Sequence, residues 1–190
     1  MKRSTLVTVS AASILAAVSA AALPAAAAPL GSSVSDNVRT TTSQLAQTRT
    51  LTATQKQQLA YWVEEEKLAH DLYLALAAKY PSLSQFSRIA NAEAQHMASV
   101  RQLLRAYGVA DPTVGKPTGV FSNAQLTALY NRLLNSATTP AGALAAGAAV
   151  ERKDIGDLGA AKAKALPADV LRVVNAQIKA SEGHLRAFTR

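Results

Sequence analysis

No cysteine occurs among the 190 residues of this chain. That absence excludes disulfide staples, Fe–S clusters, thiolate zinc sites and cysteine nucleophiles together. Aromatic residues are scarce at 5%, and sheet-rich folds need more Val, Ile and aromatics than this. Charged residues stop at 17%, although Lys and Arg outnumber Asp and Glu, 20 to 12. The basic residues are scattered (Arg101, Arg105, Arg132, Lys162, Arg172, Lys179) and no cluster of them interleaves with aromatics. No nucleic-acid partner is expected from such a surface, only a weak attraction to anionic cell-surface polymers. What is abundant is Ala, which dominates a hydrophobic share of 49%. Ala loses no side-chain entropy on entering a helix, so the composition predicts an all-α fold.

The first residues read as a leader. Lys2 and Arg3 are followed by an apolar stretch from Leu6 to Leu23 and then by the small-residue run Ala25 to Ala28. That order, charged, apolar, small, is the pattern of a secretory signal peptide over residues 1–28, with cleavage after Ala27 or Ala28. The expected location is therefore secreted or extracytoplasmic, without stable membrane insertion after cleavage. Residues 29–50 are rich in Ser, Thr and Gln without period and read as a flexible polar lead-in.

Residues 51–190 carry start and stop signals for helices. Thr52 with Gln55 can form a capping box, and Pro81 stops the pattern after Tyr80. Ser82 with Gln85 opens a second helix that closes at Gly108. The stretch Gly108–Gly119 is a loop, and Ser122 with Gln125 opens a short helix fading near Asn135. Thr139-Pro140 starts a third long helix, with Pro at the first position, whose pattern weakens after Leu158. Pro167 begins the last helix. A helix of about 25 residues is about 38 Å long. The long connection from Gly108 to Thr139 can traverse that length, and this predicts a four-helix bundle with one long crossover containing a short extra helix, the ferritin-like arrangement.

Steps of three and four residues give each helix an inward stripe. The stripes are Leu59-Trp62-Glu66-Ala69-Tyr73-Leu76, Phe86-Ile89-Glu93-His96-Val100-Leu103-Tyr107, Leu144-Gly147-Glu151-Asp154-Leu158 and Val170-Val173-Gln177-Ser181-His184-Phe188. Each is apolar at its ends and polar at its centre. Buried carboxylates cost several kcal/mol unless paired, so Glu66, Glu93, Glu151 and Asp154 beside His96 and His184 need either extra protons or a cation. Glu93-x-x-His96 and Glu151-x-x-Asp154 each put two side chains on one face, one turn apart, as shared metal ligands require. Glu65, beside Leu68 and Leu72, is the alternative to Glu66. Glu64 and Glu182 are expected in solvent, His70 on the surface or behind the ligands, and Trp62, Tyr73 and Tyr107 in the core.

Four segments carry a family resemblance: Glu64-Glu65-Glu66-Lys67-Leu68-Ala69-His70-Asp71-Leu72-Tyr73, Ile89 to Met97, Val150 to Ile155 and Ser181 to Phe188. Together they resemble the ferritin-like domain-of-unknown-function family 2202, over roughly Leu51 to Phe188. The segment Glu66-x-x-Ala69-x-x-x-Tyr73 also resembles the first helix of rubrerythrin-type di-iron proteins. The resemblance implies a ferritin-like fold and leaves the reaction open. One departure stands out. Di-iron bundles carry Glu-x-x-His on two helices, whereas the last helix here has Ser181-x-x-His184; the simplest account is that Asp154 replaces the missing Glu, and the alternative, if Asp154 is too short to reach, is a mononuclear site.

The resulting expectation is a metal site of Glu66, Glu93, His96, Glu151, Asp154 and His184, taking two iron ions or manganese. Mixed carboxylate and imidazole donors suit those metals better than zinc. Oxidation of ferrous iron, or consumption of peroxide or O2, fits such a site. Sequestration without turnover and a metal-free interaction bundle are the alternatives. A homo-oligomer is compatible with the sequence, which identifies no contact surface for one.

Overall fold

The computed structural model describes residues 50–190. The expected signal peptide and nearly all of the polar lead-in lie outside the described residues. Among the described residues the chain is all-helical, with five helices and no strands: α1 (Ala53–Lys79), α2 (Gln85–Ala106), α3 (Ala124–Ser136), α4 (Pro140–Lys162) and α5 (Ala168–Phe188). None of these helices is long and apolar enough to cross a membrane.

Local chemistry sets most of the boundaries. The Thr52 side chain accepts from Gln55 N at 3.2 Å, and Gln55 Oε1 accepts from Thr52 N at 2.9 Å, which completes a capping box. Thr139 Oγ1 accepts from Gly142 N at 3.0 Å, with Pro140 opening α4. Two expected caps are displaced. Ser82 does not open α2, because a backbone turn through Leu83 N to Tyr80 O (2.9 Å) and Phe86 N to Leu83 O (3.1 Å) leads the chain in, and Ser84 is the cap without a side-chain bond. Ser122 does not cap α3. Asn123 does so, accepting from Gln125 N and Leu126 N, while the Ser122 hydroxyl donates to Pro112 O at 3.2 Å. Helix α4 also runs past Leu158 to Lys162.

α1 packs on α2, α2 on α5, α5 on α4 and α4 back on α1, while α3 lies across α1 and α4. The buried apolar residues fall into two cores. One gathers Leu72, Tyr73, Leu76, Phe86 and Phe188 with Leu126 and Leu133 of α3. The other holds Leu59, Trp62, Val63, Val100, Leu104, Leu158, Val170 and Val174. The rings of Phe86, Phe188 and Tyr73 stand 5.0–6.0 Å apart by centroid. Gly147 of α4 permits this packing, since a Cβ there would meet the Phe188 ring at 3.0 Å. Between the two cores lies a layer of buried polar residues: Glu66, Glu93, Glu151, Gln177 and Ser181.

Candidate metal centre

The run Glu64-Glu65-Glu66 steps about 100° per residue around α1, and all three side chains are buried. They serve three different neighbours. Glu64 Oε1 accepts from the backbone N–H of Ser122 and, at 3.3 Å, of Asn123, so it holds the start of α3. The expectation that Glu64 is solvated is thereby overturned, because the crossover folds back over that face of α1. Glu65 Oε1 pairs with Lys153 Nζ of α4 at 2.9 Å. Glu66 Oε2 faces His96 of α2, 3.3 Å from its Nδ1.

Glu93 occupies the middle. Its Oε2 lies 2.7 Å from His96 Nδ1, and its Oε1 lies 2.9 Å from His184 Nδ1 of α5. Glu151 Oε2 is 3.6 Å from the same His184 nitrogen. The two imidazoles stack with centroids 5.7 Å apart. Two groups result, Glu66–Glu93–His96 and Glu93–Glu151–His184, in each of which the donor atoms lie within 4.8 Å of one another. Glu93 belongs to both. These groups are positioned where they could hold a metal ion.

Asp154 stands in neither group. Its Oδ2 accepts from Ser181 Oγ at 2.7 Å, so the two residues that depart from the di-iron pattern bond directly to each other. Asp154 nevertheless lines the same small cavity as Glu65, Glu66, Glu93, Glu151 and Lys153. That cavity offers about 10 Å³ to a water-sized particle, close to the space one water needs. The other oxygen of Glu151 accepts from Tyr73 OH at 2.6 Å. A hydrogen bond to a charged group is worth about 1.5–3 kcal/mol, so Tyr73 fixes one carboxylate while belonging to the aromatic core. His70 is apart from the centre and pairs with Asp71 at 3.1 Å.

The electrostatics are strained in one direction. Burial pushes the Glu66 carboxyl well above its ordinary range, and Asp154 adds to the effect. Burial likewise raises Glu151 to about 7 and Asp154 to about 6, despite His184 beside the one and Ser181 beside the other. Glu93 is the exception: burial would raise it, but His184 and His96 outweigh that and hold it at about 2. Burial alone would lower the histidines, yet the carboxylates around them bring His96 to about 11 and His184 to about 9. Burial thus favours the protonated carboxyls of Glu66, Glu151 and Asp154, while Glu93 keeps its charge between the two imidazoles.

The hydrogen-bond census tests whether a cation fits. Glu66 Oε1, Glu93 Oε1, His96 Nδ1 and His184 Nδ1 are buried and make no directed hydrogen bond, although carboxylate oxygens and ring nitrogens lie close. Buried polar atoms of native proteins are almost always satisfied, and orphans of this kind call for a water or an ion. Lone pairs converging without hydrogen bonds between them suit a cation. The donors are carboxylate oxygen and imidazole nitrogen, without sulfur.

Lys153 and Gln177 hold parts of this layer to which the sequence analysis assigned no role. Lys153 joins α4 to Glu65 and Tyr61 of α1. Gln177, on the inward stripe of α5, reaches His96 O with Nε2 at 3.4 Å and leaves Oε1 unpartnered. Its position on the stripe was the only available signal. Lys153 had none, because its partner Tyr61 lies off the stripe of α1.

Comparisons place the chain among known proteins. A crystal structure of the hypothetical protein MJ0754 from Methanococcus jannaschii is similar, with a TM-score of 0.70 and 37% identity, over 73% of this chain and 79% of that one. The uncharacterized protein MJ0754 of Methanocaldococcus jannaschii is 39% identical over 137 residues, covering 72% of this chain and 74% of that protein. Residues 55–190 match the model of the uncharacterized protein domain DUF2202. That match spans all five helices apart from the first residues of α1, and the chain belongs to the DUF2202 family.

Proposed function

We propose that this protein is an exported ferritin-like four-helix bundle holding a dinuclear iron or manganese centre, at which ferrous iron is oxidised or O2 or peroxide consumed. The observation that carries the reading is the sharing of Glu93 between two three-residue groups, each completed by a carboxylate and a histidine from other helices. Di-iron bundles draw their ligands from four helices, a Glu from each of two and Glu-x-x-His from each of the others, and the two groups here draw on α1, α2, α4 and α5 in the same way. Glu66 and His96 would hold one ion and Glu151 and His184 the other, with Glu93 common to both and Asp154 lining the same cavity.

Iron or manganese held here supplies one-electron redox chemistry toward oxygen species. The chain's own residues do the rest. Glu93, placed between the two histidines, would provide negative charge to both positions. Tyr73 keeps one oxygen of Glu151 occupied and so aims the other at His184. The cores on either side exclude bulk water. Export through the leader places this chemistry outside the cytoplasm.

A second reading has one observation in its favour. With His96 and His184 both protonated, as their raised pKa values allow, the layer neutralises part of its own charge and the domain serves as a metal-free interaction module. Elemental analysis separates the two. After anaerobic loading with Fe(II), the first reading expects about two ions per chain, one for each donor group. Absence of binding leaves the second. Subsequent exposure to O2 or peroxide gives turnover if the centre is catalytic, and none if it merely stores the metal.

A further inference from the structure

Lys153 stands between the surface and the buried cavity. Its ammonium touches three oxygens: Glu65 Oε1 at 2.9 Å, Tyr61 OH at 2.7 Å and Asp157 Oδ2 at 2.5 Å. Tyr61 and Asp157 line an open polar groove of about 490 Å³ on the outside of α1 and α4. Glu65 and Lys153 line the inner cavity together with Glu66 and Asp154. Lys153 thus bonds both to residues that line the groove and to one that lines the cavity.

Glu65 is the second, independent sign. The residue is only 6% exposed, and its Oε2 has no hydrogen-bond partner while the side chain faces the cavity. A buried carboxylate oxygen left unsatisfied is costly and is retained most simply where a passing cation satisfies it. Asp157 and Tyr61 stand on the groove side, and Glu65 stands on the cavity side with Asp154 and Glu66. Lys153 stands among Asp157, Tyr61 and Glu65, where an incoming cation would sit. Its side chain is one-third exposed, so it can leave toward solvent.

We propose that Tyr61, Glu65 and Asp157 form an access site for divalent cations, and that the Lys153 ammonium is its tethered plug. The proposal rests on the dinuclear reading and adds to it the route by which the ions arrive. The plug matches the charge sign of the cargo, so it keeps the carboxylates organised when no ion is passing. Withdrawal of Lys153 leaves Glu65 with both oxygens free for the cation. Without the lysine, loading is faster; without Asp157, the cation is captured less often at the groove.

The test is stopped-flow loading of the metal-free full-length chain with Co(II), read by its absorption, alongside stoichiometry at equilibrium. Lys153→Met is expected to speed loading about tenfold, at the low end of what local charge does to on-rates, with unchanged stoichiometry. Asp157→Asn, a surface change that leaves the cores intact, is expected to slow loading severalfold. Lys162→Met, which removes an equal charge from an exposed position on the same helix, serves as control. Wild-type rates in both Lys153→Met and Asp157→Asn would overturn the plug while leaving the centre standing. An equal acceleration in Lys162→Met would reduce the effect to net charge and overturn it as well. Failure of the wild-type chain to take up any ion removes the centre and the plug together.

Discussion

Two buried charged clusters grow from the same ten residues of α1, Glu64 to Tyr73, and they are built on opposite terms. On one face Lys67 and Asp71 pair with each other, and the crossover loop closes over them. Lys67 donates to Pro117 O at 2.8 Å, while Asp71 accepts from Gly119 N at 2.9 Å and pairs with His70 at 3.1 Å. Gly119 has φ +74, and a Cβ there would strike Tyr130 at 2.6 Å, so the loop needs glycine to reach Asp71. Every charged atom in this cluster has a partner. On the other face, Glu66 meets Glu93 and His96, Glu93 in turn meets Glu151 and His184, and four of the converging atoms have no directed bond. The difference teaches what buried charge is for in this molecule. Where it is saturated, it fastens the crossover to α1; where it is left open, it forms the groups that could hold a metal ion.

Substitution of Glu93 should break the open cluster most severely. Glu93→Gln removes the one carboxylate common to both groups, so metal content should fall at both positions together. Affinity should drop by more than about 100-fold, beyond what the loss of an outlying partner costs. Elemental analysis of loaded protein reads this directly, and loss of only one ion would show that Glu93 is not shared. The saturated cluster should respond in the opposite way. Asp71→Ala strands the Lys67 ammonium in a buried site and should cost about 3–5 kcal/mol of stability, as breaking one side of a buried pair does. The folded fraction should still load metal normally; a parallel loss of metal would merge the two clusters into one unit.

Tyr73→Phe sits between the two cases. It keeps the aromatic packing and removes only the hydrogen bond to Glu151, so the expected cost is about 1.5–3 kcal/mol in urea unfolding of the metal-free protein. A change within error would mean that Glu151 finds another donor. The smallest effect concerns acid. Burial opposes ionisation of Asp71, but His70, Lys67 and the Gly119 amide outweigh it and lower its pKa below 3.8. With a lowered folded value, the contribution is fully present above the unfolded pKa. It is lost as pH falls through the folded one, so Asp71→Asn should flatten the acid side of the stability curve below about pH 4. Unfolding midpoints measured from pH 5 down to pH 3 check the sign.

Much of the architecture was legible because it depends on local chemistry. The Thr52–Gln55 box, Pro81 and Thr139-Pro140 mark helix ends through bonds made within a few residues. The inward stripes were legible for a related reason: burial has the period of the helix that bears it. Periodicity nevertheless describes each helix separately. It made Glu66 and Glu65 rival candidates and gave no hint that each has its own neighbour. It sent Glu64 to solvent because the fold of a long connection over α1 leaves no periodic trace. Ser122 reads as the cap of α3, but Asn123 also can cap, and it does so because the Ser122 hydroxyl is bonded to Pro112 O.

The amino-acid order by itself determined which residues could be helical, where the helices stop, and that each long helix carries polar side chains at mid-length. Those properties follow from backbone hydrogen bonding and side-chain spacing, which act over a turn or two. Only the tertiary structure decided how the polar side chains are matched. It put Glu93 between two histidines, turned Asp154 onto Ser181, and set Lys153 against Glu65, Tyr61 and Asp157. Such matches depend on the rotation and height of one helix against another, and those are fixed by how two apolar cores pack around the layer between them.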